Sequence, residues 1–64
     1  MIYDRIKKLC EAQGITIMEC EKRAGLGNGV ISGWKTSSPR LDKIKAVAAV
    51  LNTTVNDLIA EDKE

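Results

Sequence analysis

Histidine and phenylalanine are absent from this 64-residue chain, which holds one Trp, one Tyr and one Pro. Without His, the commonest general base and the commonest metal ligand are both missing. With so few aromatics, the core must be aliphatic. The two cysteines, Cys10 and Cys20, stand ten residues apart. That spacing matches no zinc motif, and two thiols without His cannot close a tetrahedral site. They read as small apolar fillers, since a disulfide would be unusual in a cytosolic chain. The longest apolar run, Ala46–Leu51, is six residues, far below the ~20 that span a bilayer. Met1, Ile2, Tyr3 and Asp4 lack the basic region and apolar stretch of a secretory leader, so a cytoplasmic location and no membrane partner are expected.

What is present points to one small folded domain over residues 1–64. Hydrophobic residues make up 44% and charged residues 30%, too apolar for a disordered tail. A chain of this size buries only about 60% of the surface that it exposes when unfolded, so its stability is marginal. The net charge of +1 hides a split. Residues 57–64 hold four acidic side chains against Lys63, leaving nine basic and five acidic side chains in the rest. A basic body with an acidic tip suits a protein that meets an anion on one face. Charge alone favours an ordinary solvated mixed surface over that reading.

Gly14, Gly25–Gly29, Thr36–Pro39 and Asn52–Thr54 cut the chain into five segments. None alternates as a half-buried strand should, and all fit helical spacing better. The first runs to Gln13, with Ile2, Ile6, Leu9 and Cys10 on one face and Gly14 as its left-handed stop. The second spans Thr16 to Ala24. It opens on a capping box of Thr16 and Glu19, with Ile15 and Cys20 as the accompanying hydrophobic staple. The third spans Asn28 to Trp34. Its two glycines each cost about 1 kcal/mol relative to Ala, so tertiary packing must hold it. The fourth starts near Pro39 and carries a stripe of Leu41, Ile44, Val47, Ala48 and Leu51, ending at Asn52. The fifth starts at Thr54 as N-cap and closes the core with Val55, Leu58 and Ile59. The acidic end, 61–64, is expected to fray.

Two short helices joined by a turn containing Gly form a helix-turn-helix when the second helix is exposed on one side. Cys20 and Ala24 face inward, Gly25 turns the chain and Leu26 plugs the turn. Ile31 and Trp34 anchor the third segment from behind. Asn28, Gly29, Ser32 and Gly33 are left on one outward ridge without charge or bulk. Trp34 reads as a core anchor rather than a stacking platform. Glu19 reads as a cap, and Lys7, Lys8, Lys22 and Arg23 as solvated charges. Gly27-Asn28-Gly29 follows no strand and precedes no Gly-Lys-Ser/Thr, so it is no nucleotide loop.

The stretch Ile15–Trp34 resembles the phage repressor and Cro family of helix-turn-helix regulators, also called XRE or lambda-repressor-like. The likeness extends over residues 2–60. It takes in Ile6-Lys7-Lys8-Leu9 with Gly14-Ile15-Thr16, and Leu41 to Leu51 with Thr54-Val55-Asn56-Asp57-Leu58. The resemblance implies an all-α, compact five-helix domain with its motif at about 16–35. Asn28, Gly29, Ser32 and Gly33 would meet base edges in the major groove. The backbone amides of Thr16 and Ile17 would meet a phosphate. So would the loop Lys35, Thr36, Ser37 and Ser38, and Arg40 and Lys43 in the first turn of the fourth helix.

Six positions depart from the family's habit, among them Gly29 and Gly33, which stand where longer polar side chains are usual. Ile17 stands where Gln is common. Cys10 and Lys35 replace an Arg and a Glu that pair, so no half-pair is left behind. Glu21 replaces a small residue and needs a partner, a turn amide or Arg23. Asn28 can read adenine with two hydrogen bonds, and Ser32 reads only ambiguously.

The function expected is a sequence-specific DNA-binding transcriptional regulator of double-stranded DNA, working as a homodimer on a two-fold operator. No catalysis, cofactor, metal or small-molecule ligand is expected. The competing reading is a protein-interaction module on the same fold, whose glycine-rich ridge docks an antirepressor or a toxin. Steep weakening with salt belongs to the first reading and not to the second.

Overall fold

Three of the helices end in one and the same way. In the computed structural model, which describes residues 2–59, the N–H of Gly14 reaches the carbonyl of Glu11 and that of Ile15 the carbonyl of Cys10. Gly25 and Leu26 do the same to Lys22 and Glu21, and Asn52 and Thr53 to Ala49 and Ala48. Each pair is a Schellman ending, in which the residue just past the helix turns left-handed. Asn52 takes φ +56 as the only non-glycine with positive φ among the described residues. The stops expected at Gly14, Gly25 and Asn52 are therefore present.

Those stops, with their caps, delimit five helices among the described residues and no strand. They are α1 (Ile2–Ala12), α2 (Ile17–Arg23), α3 (Val30–Gly33), α4 (Leu41–Val50) and α5 (Val55–Ile59). The Thr16 side chain accepts from the Glu19 amide at 3.0 Å, and the Glu19 carboxylate accepts from the Thr16 amide at 3.1 Å. This is the expected capping box, a feature that contributes about 1 kcal/mol. Thr54 caps α5 by accepting from the Asp57 amide at 3.0 Å.

The core is aliphatic apart from one aromatic residue. Ile6 and Cys10 of α1, Cys20 of α2, Ile31 of α3, Ile44, Val47 and Ala48 of α4, Leu51, and Leu58 of α5 are buried around Trp34. Helix α2 packs on α1, α3 and α4, and α5 packs on α1 and α4. Gln13 ties the far ends together, its side-chain amide donating to the Leu51 carbonyl at 2.7 Å.

Two stripe positions are corrected. Leu41 is 56% exposed and Ile59 47% exposed. Helical side chains lean toward the amino end of their helix. Leu41 is the first residue of α4, so its side chain leans off the end. The expected fourth helix also starts later than Pro39: Arg40 is still extended at ψ 155 and serves as N-cap. Asp42, in the first turn, favours a start at this point by meeting the positive end of the helix dipole. The fraying expected for 61–64 lies outside the described residues.

Candidate nucleic-acid interface

Helix α3 is too short to hold itself. Four residues cannot complete a stable helix, and one of them is Gly33. The helix expected over 28–34 is accordingly shortened. Asn28 lies in the preceding turn, Gly29 is the N-cap, and Trp34 is the C-cap. Gly29 sits at φ +81, a left-handed conformation that costs any residue with a Cβ about 1–2 kcal/mol. With no side chain, Gly29 cannot cap α3 itself.

Glu21 supplies what Gly29 lacks. Its carboxylate accepts the Ile31 amide at 2.9 Å on one oxygen and the Gly29 amide at 3.2 Å on the other. Val30, between them, donates to the Gly27 carbonyl at 3.3 Å. Glu21 as a whole is only 3% exposed. Of the two partners considered from the sequence, the turn amide is the one used. A buried charge is tolerated here because charge-assisted bonds and the helix dipole both meet it.

The other end of α3 converges on one acceptor. The Gly33 carbonyl receives the amides of Thr36 and Ser37 and both of their hydroxyls, at 3.4 Å from Thr36 and 2.9 Å from Ser37. With the chain anchored at both ends, Ile31 and Trp34 are buried, while Asn28, Gly29, Ser32 and Gly33 are all exposed. All four positions of the expected ridge are thus open to solvent, with open space around both glycines.

The residues expected to flank that ridge fall into three groups. At the start of α2, Thr16's amide is already committed to Glu19. The Ile17 amide has no partner within the described residues, and its side chain is half-buried against the core. In the loop after α3, Lys35, Thr36, Ser37 and Ser38 are exposed, although the Thr36 and Ser37 hydroxyls point back at Gly33. The Lys35 ammonium lies 4.9 Å from the centre of the Tyr3 ring. Before α4, Arg40 is exposed and is the N-cap, not a residue of the first turn. Lys43 is in that turn, half-buried, and its amide bonds the Asp42 carboxylate at 3.0 Å.

Sequence reasoning left two contributors without a role. Glu21 carried a signal, a charged residue at a helix crossing that had to find a partner. Tyr3 carried none, since nothing local relates it to a lysine thirty-two positions on.

The cysteines are free and buried, Cys10 on α1 and Cys20 on α2. Burial pushes the Cys20 thiol up to about 12, helped by Cys10 and Glu21, and raises Cys10 as well. They behave as apolar filler, not as nucleophiles. Among the described residues no helix is long and apolar enough to cross a membrane.

The family model of the Cro/C1-type HTH DNA-binding domain matches residues 4–64. No curated protein and no solved structure matches the chain. The short exposed helix held behind a glycine turn, the order of five helices and a match across nearly the whole chain agree. The protein belongs to the Cro/C1-type HTH DNA-binding domain family and is a DNA-binding regulator.

Proposed function

We propose that the protein recognises specific sequences in double-stranded DNA and represses transcription, acting as a homodimer on a two-fold operator. The observation that carries this reading is the division of α3 into two faces. Ile31 and Trp34 are buried, while Asn28, Gly29, Ser32 and Gly33 are exposed, small and uncharged. A surface of that kind approaches base edges closely without being drawn to the phosphates.

In this reading Asn28 makes two hydrogen bonds to an adenine, Ser32 donates to or accepts from a neighbouring base, and Gly29 and Gly33 permit the close approach. Lys35, Arg40 and Lys43 neutralise phosphates, and the open Ile17 amide donates to one. Thr16 shapes that site through its capping box. Ser38 contributes from the loop, whereas Thr36 and Ser37 must release Gly33 before their hydroxyls reach a phosphate. A lone module of this size gains limited affinity, and pairing across a two-fold axis places half-sites about one helical turn apart.

Selection from random duplex DNA tests the proposal. The expected result is an enriched two-fold symmetric sequence, bound with an affinity that falls steeply as salt rises. No enrichment, with binding insensitive to salt, would leave the protein-interaction module as the function.

A further inference from the structure

Glu21 is buried beneath the recognition helix and faces the protein, so it is placed to act on DNA only through α3. Both of its halves serve the helix-turn-helix junction. Its carbonyl accepts the Leu26 amide at 2.8 Å and ends α2, while its carboxylate holds the amides of Gly29 and Ile31 and begins α3. One residue thus fixes where the first helix stops and how the second is aimed. Helix α3 has no side-chain cap of its own, and the ridge residues Asn28 and Gly29 precede or form its N-cap. Their direction is therefore set by the bonds at that end.

We propose that Glu21 is the positioning residue for sequence readout: its buried carboxylate clamps the Gly29 and Ile31 amides and so sets the angle at which Asn28 and Ser32 meet the bases. This rests on the reading of α3 as the DNA-recognition helix. The clamp governs discrimination between sequences more than the strength of binding to DNA in general. Base-edge bonds have narrow geometric tolerance, whereas the phosphate contacts come from Lys35, Arg40 and the start of α2, which the clamp does not hold.

Two variants test this. Glu21→Gln keeps the shape but turns an amide nitrogen toward one of the two N–H donors, which breaks one bond of the clamp. The second is a chemically synthesised 64-residue chain in which an ester replaces the amide linking Val30 to Ile31. It deletes the Ile31 donor, keeps every side chain, and covers the case in which Glu21→Gln fails to fold. Each is measured well below its melting temperature. The readouts are hydrogen exchange at the Gly29 amide and binding to the wild type's selected operator beside random duplex of equal length.

The expected result is faster exchange at Gly29 and a loss of about 5- to 100-fold in operator preference, with random-duplex affinity within about twofold of wild type. Faster exchange with operator preference intact would overturn the proposal and leave Glu21 a purely structural cap. Equal weakening on operator and random duplex would overturn it as well. A wild-type protein that selects no sequence would remove the underlying reading, an outcome distinct from variants that discriminate as well as wild type.

Discussion

The Lys35 ammonium rests 4.9 Å from the centre of the Tyr3 ring, which joins the exit of α3 to the first turn of α1. An exposed cation–π contact is worth about 0.5–1 kcal/mol, too little to hold a lysine that a phosphate attracts. Lys35→Ala should therefore lower stability by no more than that, weaken binding on all DNA sequences alike, and reduce the salt slope by about one unit. Arg40→Ala should give the same slope change without the stability loss. Titrations at several salt concentrations decide the matter, and an unchanged slope in both variants would place these cations away from the duplex.

Trp34 is the largest side chain of the core and 5% exposed. Trp34→Ala should cost about 3–5 kcal/mol, enough to unfold a domain of this size at ordinary temperature. Circular dichroism against temperature checks this. A variant melting within a degree of wild type would contradict the burial.

Gly29 and Gly33 are both exposed with open space around them, yet alanine should have opposite effects at the two sites. At Gly29, φ +81 makes a Cβ cost about 1–2 kcal/mol. At Gly33 the backbone is helical, and Ala should add up to about 1 kcal/mol of stability. Its methyl group also stands on the ridge, so Gly33→Ala should bind the operator more weakly or prefer a different sequence while melting higher. A more stable variant with unaltered DNA binding would show that the carboxyl end of α3 stays clear of the duplex.

Asn28→Ala should cost about 1–3 kcal/mol at the preferred operator and leave non-specific binding nearly unchanged, because Asn28 carries no charge. Discrimination should relax at one base position in each half-site. A panel of single-base operator variants, read beside the melting temperature, separates this from a turn-stabilising role. That role predicts uniform weakening and a lower melting temperature.

Much of this architecture is legible along the chain because its signals are local. A hydroxyl three residues before a glutamate makes the capping box at Thr16 and Glu19. Gly or Asn after an apolar stripe makes the stops at Gly14, Gly25 and Asn52. The ridge on α3 followed from the same spacing that buried Ile31 and Trp34. Periodicity says which residues share a face but not where along a helix the neighbouring packing gives out, so the exposure of Leu41 and Ile59 was not legible. The start of α3 escaped for a different reason. Its cap is supplied by Glu21 from another helix, and a bond across eight residues leaves no local pattern. The hydrogen bond from Gln13 to Leu51 and the cation–π contact of Lys35 with Tyr3 exist only because the fold brings distant positions together.

The buried thiols of Cys10 and Cys20 make the protein its own folding reporter. Neither sulfur meets solvent while α1 stays on α2, and Cys20, pushed up to about 12, has almost no reactive thiolate at neutral pH. Alkylation must then wait for the domain to open, so its rate measures the population of open molecules. A cognate duplex that binds only the closed form slows the same reaction by mass action. The mass gained by the protein over time would then yield an affinity for DNA without a label on either partner.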